Sequence, residues 1–299
     1  MKKYLKTNEI RIRDPYVLVY DGWYYMYRSD SEKYVYVHKS KDLKNWNEGK
    51  IVYTLNSSSW ACKDVWAPEV HLYKNKFYMF VSLLGTNGLR GTEINICDTP
   101  DGIFRPISNG PATPEDKSCI DGTLYVENDV PYIVYSLDWP HNFDVENECY
   151  VGEIWAKKLS LDLKNGVGDP FLLFKSSEAS CSRMPAIHEY EGETVTRYGS
   201  DAPFIVKLSN GMLYLTWSPI PNNNYIVAGA VSDSIKGKWK HLDKPLFDKN
   251  GGHAMFFKDF QNNLRMCIHC PECPPEERAL FIKVNEEKNN LVLEEYDEF

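Results

Sequence analysis

Three aspartates, Asp14, Asp121 and Asp201, stand at the openings of similar apolar segments that lie far apart in the chain. Two carboxyl groups on either side of a glycosidic bond can hydrolyse it, because one protonates the leaving oxygen while the other activates water or attacks the sugar. A third carboxylate can set the pKa and the orientation of the acid. A lone Asp at a strand start is more often a turn residue. The chemistry therefore depends on whether the fold brings the three together.

The segments that carry these aspartates belong to a repeat. Each copy has a polar opening, an apolar strand, a turn, an aromatic-rich second strand and a third strand, as in "RDPYVLVYDGWYYMYRS" and "SDAPFIVKLSNGMLYLTWS". The five copies open near residues 14, 66, 121, 201 and 253. The dipeptides between their first two strands suit tight hairpin turns. These predicted turns are Asp21-Gly22, Lys74-Asn75, Asn128-Asp129, Asn210-Gly211 and Asn262-Asn263.

The size of the repeat predicts the architecture. About 50 residues with four short antiparallel strands is the size of a β-propeller blade. We therefore predict an all-β, five-bladed β-propeller that forms a single catalytic domain over residues 1–299. The third interval is the longest, and "SSEASCSRMPAIHEYEGETVTRYG", residues 176–199, is the predicted insertion. Because the inner strands of a propeller line one channel, we expect Asp14, Asp121 and Asp201 to meet around one pocket.

Composition limits the partners. The net charge of −8 and the absence of a long basic run argue against binding to nucleic acid. No stretch approaches 18 apolar residues, and the basic N-terminus is not followed by the apolar core of a signal peptide. We therefore expect no membrane partner and a cytoplasmic protein, or a secreted one if a leader precedes this sequence.

Several motifs, in order along the chain, resemble glycoside hydrolase family 43. They are "IRIRDPYV", "VWAPEVHLYKNKFYMF", "CIDGTLYV", "SDAPFIVKLSNGMLYLTWS", "GGHAMFF" and "PPEERALF", and they extend from about Ile10 to Val284. The family contains five-bladed arabinanases, arabinofuranosidases and β-xylosidases. The resemblance implies that Asp14 is the general base of an inverting displacement and that Asp121 is the pKa modulator that orients the acid.

The resemblance assigns the general acid to Asp201, but the local motif differs from the usual one. The family usually has Glu in an "EGP"-like motif, whereas this chain has "SDAP". Asp has one methylene group fewer, and a displacement of about 1 Å can cost about a hundredfold in rate. Asp138 in "VYSLDWP" is the main alternative acid, with a turn cap before Trp139 as its structural role. Glu69 and Glu189 are further alternatives.

The positions of several aromatic and basic residues make them candidates for substrate binding. Trp66 in "WAPE" is placed to stack on a sugar, and Trp23, Trp139 and Trp217 are further candidates. Arg278 could pair with a carboxylate at the rim, whereas strand alternation should turn Arg13 to the face opposite Asp14. His253 in "GGHAMFF" resembles the family histidine that points into the channel, often beside a bound calcium ion. It could equally be a buried histidine with its own partners.

These features together predict an inverting glycoside hydrolase that cleaves arabinose- or xylose-containing oligosaccharides derived from plant cell walls. No cofactor is required, and a structural calcium ion is possible. An α-L-arabinofuranosidase or endo-arabinanase is favoured over a β-xylosidase. Many β-xylosidases of the family carry a C-terminal β-sandwich, and this sequence stops soon after the fifth blade. The alternatives are a propeller that binds carbohydrate without cleaving it, and another five-bladed sugar enzyme such as a fructan hydrolase or a mannoside phosphorylase.

Overall fold

The five predicted repeats fold into five antiparallel sheets that follow one another around a ring. The computed structural model describes residues 4–56, 60–182, 186–294 and 296. In these residues the regular elements are β-strands and three-residue 3-10 helices. The predicted five-bladed β-propeller is therefore confirmed, and its innermost strands begin within a few residues of the predicted openings.

Each blade contains at least four strands, and a sixth sheet is inserted in blade three. Blade one contains β1 (Tyr4–Lys6), β2 (Tyr16–Tyr20), β3 (Trp23–Ser29), β4 (Tyr34–Ser40), β5 (Asn45–Asn47) and β6 (Lys50–Thr54). Blade two contains β7 (Ala61–Tyr73), β8 (Lys76–Gly85), β9 (Arg90–Cys97) and β10 (Arg105–Pro106). Blade three and the inserted sheet contain β11 (Cys119–Glu127), β12 (Val130–Leu137), β13 (Phe143–Asp144), β14 (Cys149–Val151), β15 (Glu153–Leu159), β16 (Gly166–Lys175), β17 (Ala186–Tyr190) and β18 (Glu193–Tyr198).

The remaining two blades complete the ring. Blade four contains β19 (Asp201–Lys207), β20 (Leu213–Ser218), β21 (Ala228–Ser232) and β22 (Lys240–His241). Blade five contains β23 (Gly252–Lys258), β24 (Leu264–Cys270), β25 (Arg278–Glu287) and β26 (Asn290–Leu293). The 3-10 helices are Thr7–Glu9, Trp139–His141, Ser176–Glu178, Ser180–Ser182 and Pro221–Asn223.

The innermost strands contact one another in sequence, and the ring closes between blades five and one. Strands β2, β7, β11, β19 and β23 each contact the next, and β23 contacts β2. The segment before β2 also lies along blade five, where the Ile12 N–H donates to the Glu277 carbonyl at 3.1 Å. Arg11 pairs with the nearly unexposed Glu277 carboxylate at 3.2 Å. These contacts join the first and the last blade.

The predicted two-residue turns form in blades one, two and three, whereas the loops of blades four and five have five residues, between Lys207 and Leu213 and between Lys258 and Leu264. Asp21 and Gly22 both have positive φ, 46° and 65°, and so do Asn128 and Asp129, 50° and 63°. A two-residue hairpin turn with both central residues left-handed matches the twist of the strands, and Asn, Asp and Gly tolerate that conformation best. Local turn chemistry therefore fixes the register of the inner two strands in blades one to three.

The long third interval contains a four-stranded sheet in the order β13-β14-β18-β17. Strands β17 and β18 come from the predicted insertion, of which residues 183–185 lie outside the described part of the chain. Strands β13 and β14, within residues 143–151, were not predicted. Strand β13 pairs with β14, and β14 pairs with β18, which extends the insertion into a separate small sheet. Within the described residues, no helix is long and apolar enough to cross a membrane.

Candidate active site

The start of every inner strand has the same backbone distortion. At the start of each inner strand a non-glycine residue has positive φ, and four of these five residues lie within a register shift between the first two strands, which marks a β-bulge. The residues are Asp14 (51°), Ala67 (44°), Asp121 (55°), Ala202 (52°) and His253 (58°). The repeat predicts that Trp66 and Asp201 are the equivalents of Asp14 in blades two and four. The structure shifts this equivalence by one residue, because Ala67 and Ala202 have the conformation of Asp14.

Side chains from neighbouring blades hold these distorted positions. The backbone N–H of Asp121 donates to Ser82 Oγ at 2.8 Å, and that of His253 donates to Ser218 Oγ at 2.9 Å. The Asp14 N–H donates to His269 Nδ1 at 3.2 Å. Each acceptor comes from the end of the second strand of the preceding blade. A left-handed conformation costs free energy, and these bonds stabilise it where the site is built.

The strand starts surround a cavity of about 630 Å³ at the end of the channel. Its lining includes Asp14, Asp121, Asp138 and Asp201, together with His253. Four carboxyl groups from three blades therefore share one pocket. The predicted aromatic residues Trp66 and Trp139 also line it, as do the unpredicted residues Arg90, Tyr190 and Tyr225.

Asp14 is surrounded by one arginine and two histidines. Its Oδ1 is buried and lies 3.0 Å from His253 Nδ1 and 3.3 Å from His269 Nδ1. Arg13 Nε lies 3.8 Å from Oδ2. Burial alone would raise the pKa of Asp14, but these three residues lower it well below its usual range. Asp14 is thus held ionised, and because Oδ1 is enclosed, Oδ2 is the oxygen that can face the pocket.

Asp201 has the opposite electrostatic environment. Burial raises its pKa to about 8, and the neighbouring charges of Asp121 and Asp138 act in the same direction. The Tyr225 hydroxyl donates to Asp201 Oδ2 at 3.4 Å. At neutral pH Asp201 therefore carries a proton. A pair of carboxyl groups whose environments drive their pKa values apart is the arrangement that acid and base catalysis requires.

Asp121 links the two sides of the pocket. Its Oδ2 accepts the N–H of Ala202 at 3.0 Å and lies 3.9 Å from His253 Nδ1. The first contact fixes the backbone next to Asp201. Burial raises the pKa of Asp121, His253 opposes that effect, and Asp14 reinforces it. Asp121 thus orients the strand that carries Asp201 and contributes to the raised pKa of that residue.

The alternative acids are placed differently. Asp138 lines the pocket just before the 3-10 helix Trp139–His141, and burial raises its pKa to about 6. Glu69 is buried and does not line the pocket, and its Oε2 lies 2.9 Å from His71 Nε2. Glu189 is exposed on the inserted sheet and accepts from the Thr194 hydroxyl. Among the alternatives, only Asp138 is at the pocket.

The other predicted tryptophans lie elsewhere. Trp23 begins β3 beside the Asp21-Gly22 turn, at the far end of the first hairpin from Asp14, and the Nζ of Lys41 lies 3.8 Å from its ring centre. Trp217 is fully buried and packs against Phe174. Both residues are therefore corrected from sugar-binding to structural positions. An aromatic residue in a strand does not by itself indicate which end or face it occupies.

The predicted positions of Arg278 and Arg13 are both wrong. Arg278 does not line the pocket; its Nε donates to the Asn8 carbonyl at 2.7 Å and helps to close the ring. Arg13 does line the pocket, and its Nη1 pairs with Glu272 at 2.6 Å. Arg13 and Asp14 both reach the pocket because the left-handed conformation of Asp14 interrupts the extended backbone, so their side chains do not alternate.

Two further unpredicted residues support the site. His269 is fully buried, and its Nε2 lies 2.5 Å from Glu272 Oε2. The repeat contains a sequence signal for His269: near the end of the second strand, blades two, three and four have Ser82, Ser136 and Ser218, and the matching position of blade five is His269. The replacement of serine by histidine at this repeat position identifies the residue that contacts Asp14.

Trp66 and Trp139 both line the pocket, and an arginine side chain covers part of each ring. The Arg90 guanidinium lies 3.4 Å from the Trp66 ring centre and also pairs with Asp64 at 2.9 Å. The guanidinium of Arg197 lies 4.5 Å from the ring centre of Trp139. Each ring is thus held rigidly by a cation–π contact, and only the uncovered side of Trp66 can face a ligand.

His253 is engaged by the carboxylates. Burial alone would lower its pKa, but Asp14 and Asp121 raise it to about 9, so the ring is an imidazolium at neutral pH. In the described residues there is no cluster of three or more His, Cys, Asp or Glu side chains that could hold a metal ion. Calcium normally takes six to eight oxygen ligands. The donor set around His253 does not fit a calcium site built from protein ligands.

Comparisons with known proteins agree with this geometry. The family model described as glycosyl hydrolases family 43 matches residues 8–286. The solved endo-arabinase from Bacteroides thetaiotaomicron VPI-5482 is 34% identical, with a TM-score of 0.84 over 95% of this chain and 98% of that one. A thermostable family-43 glycoside hydrolase is 26% identical, with a TM-score of 0.82 over 95% of this chain and 93% of the other.

A more distant curated relative is the extracellular exo-alpha-(1->5)-L-arabinofuranosidase of Streptomyces avermitilis. It is 18% identical over 199 residues, which make up 63% of this chain and 41% of that protein. This chain therefore spans well under half the length of that relative.

Proposed function

The chain belongs to glycosyl hydrolases family 43 and is a glycoside hydrolase, and we propose that it inverts the anomeric centre while cleaving arabinose-containing oligosaccharides. One observation carries the proposal: a single pocket holds Asp14 ionised and Asp201 protonated. The choice of arabinose is supported by the endo-arabinase to which the chain is 34% identical along almost its full length. An α-L-arabinofuranosidase or an endo-arabinanase is favoured over a β-xylosidase.

The proposed mechanism uses the three aspartates in separate roles. Asp14 accepts a proton from a water molecule as that water attacks the anomeric carbon, and Asp201 donates its proton to the departing glycosidic oxygen. Asp121 orients the acid through the Ala202 N–H and keeps the pKa of Asp201 high. Inversion requires room for the water, and we expect a separation of about 6.5–9.5 Å between the carboxyl groups of the base and the acid.

The proposed chemistry needs no cofactor. If a calcium ion enters the channel, water molecules or carbonyl oxygens have to supply most of its ligands, because the described residues offer no cluster of three His, Cys, Asp or Glu side chains. No step of the proposed mechanism depends on it.

The pH dependence of activity follows from the two pKa directions. The base must be ionised, so kcat/KM should fall only when the pH drops through the low pKa of Asp14. The acid must be protonated, so kcat/KM should fall as the pH rises through about 8. Measurement of kcat/KM between pH 3 and 10 should give a broad profile with its basic limb near pH 8. A basic limb below pH 6 would contradict the assignment of Asp201.

A His253→Gln variant should show a narrower pH profile of kcat/KM than the wild-type protein. Removal of the imidazolium next to Oδ1 raises the pKa of Asp14, because an opposite charge within 4–6 Å lowers a carboxyl pKa by about one to three units. The acidic limb of kcat/KM should therefore move to higher pH. The control is His38→Gln, since His38 is also buried but lies in blade one outside the pocket. An acidic limb that stays in place in His253→Gln would show that His253 does not support the base.

A substrate screen tests the function itself. The purified protein is incubated with nitrophenyl arabinofuranoside and xyloside and with linear arabino-oligosaccharides, the products are separated, and proton NMR identifies the first anomer released. We expect arabinose-containing products with inverted configuration. Retention or a requirement for phosphate would favour another five-bladed sugar enzyme. Oligosaccharide binding without hydrolysis of any pentoside would instead indicate a carbohydrate-binding propeller.

A further inference from the structure

The inserted sheet carries a connected set of aromatic side chains that begins at the pocket. Trp139 and Tyr190 both line the pocket, and their ring centres are 5.3 Å apart. Tyr190 lies 5.7 Å from Tyr150, which lies 4.9 Å from Phe143. Phe143 is 50% exposed. An aromatic surface therefore extends from the pocket wall to the outside of the insertion.

Strand register explains why these rings share one face. Phe143 is directly opposite Tyr150, and Tyr150 is opposite Arg197 in β18. Side chains that are directly opposite or two residues apart point to the same side of a sheet. The face that contains Phe143, Tyr150 and Tyr190 covers Trp139, while Ile187, which is 65% exposed, belongs to the other face. The insertion thus has an aromatic side towards the pocket and a different outer side.

The insertion also lies on the acid side of the pocket. Asp138 and Arg197 are among the charged neighbours of Asp201, and Arg197 is part of the inserted sheet. Asp14, in contrast, is enclosed by Arg13, His253 and His269. Because a general acid protonates the leaving oxygen, the leaving part of the substrate is on the side of Asp201. The leaving part of the substrate therefore departs beside the inserted sheet.

A long substrate cannot fit inside the pocket. The cavity of about 630 Å³ is within the range of about 300–1,000 Å³ that small-molecule pockets span. An oligosaccharide with more units must cross the rim, and on the acid side the rim includes Trp139 and Tyr190. Aromatic rings offer a large, rigid apolar area to the C–H faces of a sugar, and tyrosine adds a hydroxyl group.

We propose that Tyr190, Tyr150 and Phe143 form a binding surface for the leaving-group end of an arabino-oligosaccharide that extends beyond the pocket. This inference rests on the proposed function, because it uses the acid to define the leaving-group side. The surface makes cleavage more efficient as the chain lengthens, and the inserted sheet determines this preference.

The test compares Phe143→Ala with Ile187→Ala. Both substitutions remove an exposed apolar side chain from the inserted sheet, but from opposite faces. The value of kcat/KM is measured for nitrophenyl arabinofuranoside and for arabino-oligosaccharides of two to six units. Phe143→Ala should lower kcat/KM for the longest substrates by about three- to tenfold, the value of one aromatic contact, and leave the nitrophenyl substrate unchanged. Ile187→Ala should change neither.

Two results would overturn the inference: an unchanged chain-length dependence in Phe143→Ala, or an equal loss in Ile187→Ala. A wild-type protein that cleaves none of these substrates would refute the proposed function instead. The surface is then tested by calorimetry with the six-unit oligosaccharide and the Asp14→Asn variant, with and without Phe143→Ala. Binding that is about three- to tenfold weaker in the double variant supports the surface, and equal binding refutes it.

Discussion

An Asp14→Asn variant should lose hydrolysis of every substrate by about a hundred- to ten-thousandfold while it keeps its fold and its affinity for oligosaccharides. The magnitude is that of a lost general base. Asn has nearly the shape of Asp, and its amide oxygen can still accept from His253 Nδ1 at the 3.0 Å position of Oδ1. The variant lacks the negative charge that accepts the proton of water. The loss should appear in kcat, with little change in the dissociation constant for arabino-oligosaccharides.

The control separates catalysis from the removal of a buried charge. Asp259 is also buried and pairs with Arg265 at 2.7 Å, but it lies in blade five outside the pocket. Asp259→Asn should therefore lower the melting temperature and leave kcat almost unchanged. If Asp14→Asn kept more than a tenth of the wild-type kcat, Asp14 could not be the base. An equal loss in both variants would point to a general effect of buried aspartates.

The sequence was sufficient to predict the propeller because its determinants are local. Each blade has a turn dipeptide between two apolar runs, and the dipeptides of blades one to three form two-residue turns as predicted. The spacing of the repeat then predicts the ring, and the ring brings Asp14, Asp121 and Asp201 to one pocket. None of these steps requires knowledge of side-chain packing.

The details of the site could not be predicted because they depend on backbone distortion. The bulges at the strand starts move Ala202 into the position assigned to Asp201 and turn Arg13 towards the pocket. Strand alternation, the rule used for Arg13, holds only where the backbone is extended. The strands β13 and β14 were missed for another reason: they are only two and three residues long, and β13 runs into the polar segment "DVENE".

The identity of the acid can be decided by comparing Asp201→Asn with Asp138→Asn. Both carboxyl groups line the pocket and both have raised pKa values, about 8 and about 6. If Asp201 is the acid, Asp201→Asn should lose about a hundred- to ten-thousandfold in kcat/KM on oligosaccharides, whose leaving oxygen needs a proton. The loss should be far smaller with a dinitrophenyl arabinofuranoside, whose leaving group departs without one. The basic limb of the pH profile should disappear.

Asp138→Asn should behave differently if Asp138 only binds or borders the substrate. Its charge is one of the causes that raise the pKa of Asp201, so its removal lowers that pKa and moves the basic limb to lower pH without abolishing it. The loss of kcat/KM should be similar for oligosaccharides and for the dinitrophenyl substrate. If the dependence on the leaving group appears in Asp138→Asn instead, the proton comes from Asp138. In that case Asp201, which its high pKa keeps protonated, only places an uncharged side chain beside the bond that is cleaved.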